Sequence, residues 1–438
     1  MYVTYSIYRA KCKDYNDDEL TLELERKMWN DTIQNNIFVI CKTPMAKQIT
    51  QRTLAGYSNI KINAHYFDDL INQMENKPQQ FIDRVQKPSY WKKGDIGRMK
   101  FDAVVGNPPY MQMDGGAQAS AKPIYQHFVS TAKALEPSYL SFIMPTRWYA
   151  GGKGLDDFRD QMLNDKHIET LFDCVTPDDI FPNTNIRGGV CYFLWNQSYD
   201  NEKDKTNVIT LEHGKPPVTM KRALKVDGLD IFVRYSYSIG VLSKVFDLEH
   251  DTLDNYVSSR RAFGIDANIV KSSYFKKEES QNCVKCFGKG QTYGFIDYNL
   301  VQNHKEWANE WKIFTPRANN IGTELNDDNL NCFIGKPGTV CTESYIMIGI
   351  GLSLDESKCM NLSKYLTTKF ARFMHSIAKA SQDATAKTYR FIPIQDFTQN
   401  SDIDWNRSVS EIDKQLYKKY NLSEDEINFI EEKIKPME

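Results

Sequence analysis

The ten residues Phe101-Asp102-Ala103-Val104-Val105-Gly106-Asn107-Pro108-Pro109-Tyr110 constrain this chain more than any other stretch. Phe101, Val104 and Val105 are β-formers in an apolar run too short for a helix, which predicts a short buried strand. Gly106 ends it. The two prolines that follow cannot extend a sheet ladder, so the chain must leave the sheet at Asn107. Open α/β sheets bind their ligands at such carboxyl strand ends.

The residues at this exit suit one kind of chemistry. The Asn107 carboxamide carries an acceptor oxygen. The carbonyl of Pro108 is a second acceptor, and the two proline rings fix where it points. Two acceptors in a rigid frame can hold both N–H bonds of an exocyclic amine. An adenine amine is a poor nucleophile because its lone pair is delocalised into the ring. Accepting both of its hydrogens draws the nitrogen toward a tetrahedral shape and frees the lone pair. Tyr110 adds a flat face on which a base can stack. The competing reading is a proline-rich turn after a strand.

Residues 101–110 resemble motif IV of the gamma-class adenine-N6 DNA methyltransferases of restriction–modification systems. Glutamine methyltransferases of release factors share Asn-Pro-Pro-Tyr, so the tetrapeptide alone does not select the substrate. The resemblance implies a Rossmann-like sheet, S-adenosylmethionine as methyl donor and an adenine flipped out of duplex DNA. Asn107, Pro108, Pro109 and Tyr110 would be its catalytic residues.

The preceding sequence supplies the neighbouring elements. Residues 1–35 are polar and charged with helical character. Residues 36–41 read as a buried strand, 45–54 as a helix and 60–62 as another short strand. Strand, helix, strand and then 101–106 predict a parallel α/β sheet. By the resemblance, 36–41 is motif II, where an acid usually binds the ribose of the cofactor; here Cys41 or Lys42 stands in that place. Residues 65–69 correspond to motif III, with Asp68 the candidate for the adenine of the cofactor and a solvated loop acid the equal alternative. The family opens its catalytic domain with a strand and a glycine-rich turn. Before residue 100 this chain has only the isolated Gly56, Gly94 and Gly97. The resemblance thus begins after motif I, which implies a fragment, a second chain that supplies the missing part, or lost cofactor binding.

Beyond the tetrapeptide, 111–122 reads as a mobile loop, 124–135 as a helix and 139–144 as a strand. Phe128 is either the residue that packs on the cofactor or a core residue. Residues 155–171 predict a helix, followed by a strand at 172–174. Residues 186–195 form a glycine corner leading into an aromatic strand that resembles motif VIII. Its base-stacking side chain would be Phe193 or Tyr192, with Phe193 preferred; strand alternation sends the two to opposite faces.

Charge and cysteine usage narrow the setting. The formal net charge is −2, so any DNA contact must come from local patches rather than a global positive field. Nine scattered cysteines suit a reducing cytoplasm. No run reaches the ~18 apolar residues of a membrane span, and no signal peptide opens the chain. Cys283 and Cys286 invite a zinc reading, but zinc needs four ligands and no second pair exists, so no metal is expected.

The charged stretch 196–205 reads as a linker, placing a boundary near 200. Beyond it come a basic turn at 258–264 with Arg260 and Arg261, a Gly-x-Pro-Gly turn with Lys336, and a helix over 362–380. Lys364, Lys369, Arg372 and Lys379 fall on one arc of that helix, most simply a solvated face. Residues 382–393 interleave basic, amide and aromatic side chains. Gln382, Lys387 and Arg390 are the candidate DNA contacts there, for phosphates and base edges. This half resembles the target-recognition domain of the same methyltransferases, which release-factor enzymes lack. Ser423 and Glu426 predict a capping box that starts a final helix.

Three domains are therefore expected: 1–200 catalytic from motif II onward, 201–400 an α+β target-recognition domain, and 401–438 a helical tail. The expected activity is transfer of a methyl group from S-adenosylmethionine to the N6 amine of a flipped adenine at a specific DNA site. Double-stranded DNA is the expected partner, with an upstream chain or restriction subunit as a second. The alternative is a DNA-recognition chain that is catalytically incomplete, or one part of a split enzyme.

Overall fold

The computed structural model describes residues 1–437 apart from 17–18, 95–96, 113–120, 185, 187, 320, 322–330 and 380–382. Gln382 therefore lies outside the described residues, as does most of the loop expected at 111–122. The chain divides into two units, Met1–Val104 with Met111–Leu140, and Val105–Tyr110 with Ser141–Glu438.

The first unit begins with α1 (Tyr2–Cys12) and α2 (Leu22–Asp31), followed by β1 (Phe38–Cys41), α3 (Pro44–Ala55) and β2 (Asn63–Tyr66). Thr43 starts α3: its hydroxyl accepts from the Ala46 N–H, and Pro44 occupies the first turn, where no amide hydrogen is needed. β1 and β2 pair in parallel, Phe38 opposite Asn63. The second strand begins at Asn63 rather than within 60–62. Gln51 takes up the Ile60 carbonyl at 2.8 Å, and the Asn63 amide donates to the Ile37 carbonyl at 3.0 Å, so the strand starts three residues later. α4 (Leu70–Asn76) and α5 (Pro78–Val85) then bury Leu70, Phe81, Ile82 and Val85 around Phe67 and Trp91.

β3 (Ala103–Gly106) crosses the division between the units. Next come a two-residue ladder of β4 (Met111–Gln112) and β5 (Lys122–Pro123), α6 (Tyr125–Ala134) and β6 (Tyr139–Pro145). The helix expected at 155–171 is shorter: α7 (Asp156–Leu163) stops eight residues early and Ile168 already opens β7 (Ile168–Cys174). β8 (Val190–Asn196), α8 (Asn201–Asp204), β9 (Thr206–Leu211) and β10 (Val218–Arg222) follow. The strands form a six-stranded sheet in the order β10-β9-β7-β8-β6-β3. β7 runs antiparallel to β8 and parallel to β9, so the sheet is mixed.

Three expectations need correction here. The boundary at 200 falls inside this sheet, because β9 and β10 add to it beyond that residue. Residues 196–205 make only a turn and α8 between two strands, and their charge reflects exposure rather than a linker. The strands β1 and β2 form a separate two-stranded sheet and do not join the sheet of β3. β3 is an edge strand, not a buried one, and Val105 is 52% exposed. The apolar composition is that of an interior strand, but among the described residues only β6 flanks it.

The remainder of the second unit is α+β. α9 (Ser236–Leu248) precedes two three-stranded sheets built from β11 (Cys283–Phe287), β12 (Tyr293–Asp297), β13 (Lys312–Pro316), β14 (Phe333–Gly335), β15 (Thr339–Cys341) and β16 (Tyr345–Ile348). Cys283 and Cys286 lie three apart on β11, so they face opposite sides and cannot share a metal. Four helices complete the chain: α10 (Glu356–Thr367), α11 (Lys369–Ala378), α12 (Val409–Lys419) and α13 (Glu424–Lys433).

The single helix expected at 362–380 is two helices. Thr368 leaves the helix at φ −61°, ψ 150°, and its hydroxyl caps α11 by accepting from the Ala371 N–H. The basic arc is not a solvated face. Arg372 and Lys379 are buried, Lys369 pairs with Glu431, and Lys364 donates to the Trp405 carbonyl at 2.7 Å. α12 and α13 pack against α11, and Lys379 donates to the carbonyls of Asn319 and Ile321 at 2.7 and 3.0 Å. The capping box of Ser423 and Glu426 forms as expected, and α13 docks on α9 and α11. Among the described residues no helix is long and apolar enough to cross a membrane.

Candidate active site at the end of β3

Gly106 closes β3 over an aromatic ring. A Cβ there would come 3.1 Å from Cε1 of Phe142 on β6, so glycine lets the backbone turn out of the sheet against that ring. Asn107 is exposed, Pro108 is buried, and Pro109 and Tyr110 are half-buried. Among the described residues nothing takes up the Asn107 carboxamide, which leaves its acceptor oxygen open to a ligand.

Tyr110 points its hydroxyl inward, where the oxygen is buried without a hydrogen-bond partner among the described residues. Burial, with the nearby Cys191 thiol as a smaller cause, pushes the phenol up to about 12. Cys191 is fully buried on β8 and is itself pushed up to about 12, chiefly by burial, against the Trp148 indole that donates to its sulfur at 3.4 Å. Both groups are neutral at physiological pH, so this wall of the site carries no charge.

The aromatic partner of Tyr110 is Phe181. The ring centres are 6.4 Å apart, with planes at 72°. Phe181 lies in the connection between β7 and β8, after a short 3-10 turn at Pro177–Asp179. Its N–H donates to the Pro177 carbonyl at 2.8 Å, and its own carbonyl accepts from the Thr184 hydroxyl at 2.8 Å. Sequence reasoning missed this residue. The usable signal was an aromatic in a polar connection, fixed by Pro182 and placed just after a strand end.

The two stacking candidates from the sequence are placed differently. Phe193 has no exposed surface, so neither ring face is open to a base. Tyr192 points to the other side of β8 and stacks on Phe172, with centres 4.3 Å apart and planes at 13°. The alternation of β8 buries one ring and occupies the other, and Phe181 is the aromatic that faces Tyr110 instead.

The corner at the start of β8 is tied down. Thr146, just after β6, donates its hydroxyl to the Gly188 carbonyl at 2.6 Å and its N–H to the Gly189 carbonyl at 3.1 Å. Arg234 donates from Nη2 to the Gly188 carbonyl at 2.7 Å, and its Nε lies 2.7 Å from Oδ2 of the buried Asp173, off the line of a straight hydrogen bond. Tyr149 donates to the other Asp173 oxygen at 3.2 Å. Burial raises the Asp173 carboxyl, and Arg234 and Tyr149 hold it back. Burial works against the Arg234 charge, but Asp173, with Tyr235 and Tyr149, together more than offset it, so the guanidinium stays protonated.

The cofactor candidates belong to the first unit. Asp68 is exposed immediately after β2, and Phe128 is half-buried on α6 against that unit's core. An exposed acid can accept from the adenine amine and a half-buried ring can pack on the adenine, so these residues fit that part of a nucleoside in kind. They do not fit the methionine part. Gly56, Gly94 and Gly97 have open space where a Cβ would lie, and none ends a strand, so they form no backbone cradle. Of the two residues at the place expected for an acid, Lys42 is exposed and Cys41 is buried with its sulfur 3.8 Å from the Thr50 hydroxyl.

The DNA candidates are scattered in role. Arg260 pairs with Glu343 at 2.7 Å, Arg261 stands 3.8 Å from Asp266, and Lys336 stands 3.5 Å from Glu356; all three remain exposed. Lys387 is exposed in a 3-10 turn, Ala386–Tyr389, rather than in an extended strand. Arg390 is occupied: it pairs with Asp230 at 2.6 Å and lies over the Phe391 ring. It is a packing residue in this fold.

Residues 35–181 match the model of the Eco57I restriction-modification methylase family. That match covers about a third of the chain and contains both 101–110 and Phe181. An uncharacterized adenine-specific methylase of Mycoplasma pneumoniae (strain ATCC 29342 / M129 / Subtype 1) is 37% identical over 113 residues, 25% of this chain and 27% of the relative. The chain thus spans about a quarter of the curated relative it matches. Among solved structures, the Type IIL restriction-modification enzyme MmeI in complex with DNA has a TM-score of 0.46 at 9% identity, covering 88% of this chain and 62% of that one. A nuclease-deletion mutant of the Type ISP restriction-modification enzyme LlaGI, in complex with a DNA substrate mimic, has a TM-score of 0.47 at 8% identity, covering 89% and 48%. The sequence similarity is to restriction-modification and adenine-specific methylases.

Proposed function

We propose that this chain is the methylating and DNA-recognising part of a restriction–modification system, acting on the N6 amine of an adenine flipped out of duplex DNA. The observation that carries the reading is the open Asn107 carboxamide at the end of β3, followed by a buried Pro108 and by a tyrosine set against a second aromatic. Asn107 Oδ1 and the Pro108 carbonyl would accept the two N6 hydrogens. Tyr110 and Phe181 would hold the ring from its two faces. Catalysis would then come from positioning and polarisation, with no covalent enzyme intermediate. S-adenosylmethionine, when bound, supplies a methyl group on a sulfonium. Asp68 and Phe128 are the residues of this chain suited to its nucleoside. Arg260, Arg261, Lys336 and Lys387 are exposed cations able to neutralise phosphates.

The test is methyl transfer from labelled S-adenosylmethionine to duplex DNA, with N6-methyladenine identified in the digest. Asn107→Ala should abolish transfer and leave DNA binding within about threefold, because the carboxamide acts on the flipped base and not on the phosphates. Full activity in that variant would remove the assignment.

One observation favours a second reading, in which the chain is one part of a split enzyme. Among the described residues β3 has an apolar, half-exposed edge with no strand beyond it, and the glycines before it, Gly56, Gly94 and Gly97, stand isolated rather than in a turn that could cradle the methionine group. Calorimetric titration with S-adenosylmethionine, with and without DNA, separates the two. One site per chain supports the complete enzyme. Binding only after a companion chain is added supports the split one, and binding in neither condition supports a recognition chain without catalysis.

A further inference from the structure

We propose that Arg234 is a positioning residue for base capture: its guanidinium clasps both ends of the connection that carries Phe181. The inference rests on the methyltransferase reading above.

The connection leaves the sheet at the end of β7 and returns at the start of β8. Asp173, the last residue but one of β7, lies 2.7 Å from Nε of Arg234. At the returning end, Nη2 of the same guanidinium donates to the Gly188 carbonyl at 2.7 Å and to the Thr146 hydroxyl at 3.2 Å. Thr146 in turn holds Gly188 and Gly189. The corner has no slack. Gly189 sits at φ +101°, and a Cβ there would come 2.7 Å from the Cys174 carbonyl and 3.0 Å from Arg234 Nη2.

An arginine suits this post because its planar fork can serve a carboxylate and a carbonyl at once, which a single ammonium cannot. A buried ion pair contributes little net stability, so geometry is what it offers. Arg234 is itself held from behind. Arg222 donates to the carbonyls of Val233 and Arg234, at 2.5 and 3.2 Å, and the Phe232 N–H donates to the Tyr149 carbonyl at 2.9 Å. The chain then enters α9, whose Val241, Leu242 and Val245 belong to the core shared with α10 to α13. Arg234 thus anchors the aromatic wall opposite Tyr110 to the core of the recognition half.

The experiment uses the full chain and the variants Arg234→Met, Arg234→Lys and Thr146→Val. Hydrogen–deuterium exchange is followed in peptides covering 175–184, a readout that needs no catalysis. Methylation kinetics are then measured, together with the fluorescence of 2-aminopurine placed at the adenine that the wild type methylates. Arg234→Met should speed exchange in 175–184 and leave peptides of β7 and β8 unchanged. It should lower kcat on the order of 10- to 100-fold, as a displacement of about 1 Å can, with KM within threefold and a weaker fluorescence rise. Arg234→Lys should recover part of the loss, since it restores the charge beside Asp173 but not both donors. Thr146→Val should fall between, and together with Arg234→Lys it carries the test if Arg234→Met does not fold. Unchanged exchange in 175–184 in the folded variants, or unchanged kcat, overturns the proposal. A wild type that methylates no DNA overturns the methyltransferase reading instead, and the exchange result still decides whether Arg234 holds the connection.

Discussion

If Tyr110 acts through its ring face, substitutions at 110 and 181 should separate ring from hydroxyl. The Tyr110 hydroxyl is buried without a partner, a condition that costs about 1–3 kcal/mol for an unpaired polar group. Removing it in Tyr110→Phe should leave methylation unchanged and stability equal or up to ~1 kcal/mol higher. The ring is different. Stacking of a base on an aromatic side chain is worth about 1–3 kcal/mol, which corresponds to roughly 5- to 150-fold in the population of captured base. Tyr110 is held by the packing of its half-buried ring and not by a hydrogen bond. Phe181 stands at 72° to it with centres 6.4 Å apart, and must turn toward parallel to admit a base between them. Tyr110→Ala should therefore lose activity toward the upper end of that range and Phe181→Ala toward the lower end. Tyr110→Ala should also lower the unfolding free energy, through the lost aromatic contact of about 0.5–1.5 kcal/mol. The assays are kcat and KM with duplex DNA, and urea melts of each variant. Because burial pushes the phenol up to about 12, wild type and Tyr110→Phe should share one pH–rate profile from pH 6 to 10. If Tyr110→Phe lost as much activity as Tyr110→Ala, the hydroxyl and not the ring would be the working group.

Two further outcomes concern the fold. His375 is wholly buried with neither ring nitrogen paired, and burial, then the Lys379 charge, holds its pKa well below the usual value. It is neutral when folded and takes up a proton on unfolding below about pH 6.5, so the stability it contributes is present above that pH and lost as the pH falls through it. Urea midpoints between pH 8 and pH 5 should fall less in His375→Phe than in the wild type; identical slopes would refute this. Gly189→Ala should cost at least ~1–3 kcal/mol, because alanine is strained at φ +101° and its Cβ meets the Cys174 carbonyl; a thermal melt equal to the wild type would refute it.

Much of the site and of the local structure was legible in the residues themselves. A run of β-formers halted by Gly106 and two prolines can only be a strand that leaves its sheet, and β3 ends there. Thr43-Pro44 and the Ser423–Glu426 box start helices wherever they occur, because caps are satisfied within a few residues. What tertiary structure decided was which faces are covered. Strand composition predicted a buried 101–106, but burial depends on which strands lie alongside, and among the described residues β3 has a neighbour on one side only. The arc of Arg372 and Lys379 looks solvated on an isolated helix, but both are buried, and Lys379 donates to the carbonyls of Asn319 and Ile321, some sixty residues earlier in the chain. Charge over 196–205 resembled a linker, while pairing of β9 with β7 carried the sheet through it. The same reason moved the stacking aromatic. Alternation along β8 is a local property and separates Tyr192 from Phe193, but only the folded sheet fills both places and brings Phe181 to Tyr110. Backbone geometry and capping are set within a few residues and can be read from sequence. Exposure and partnership are set by segments distant in the chain, and for this protein they decide which aromatic faces Tyr110.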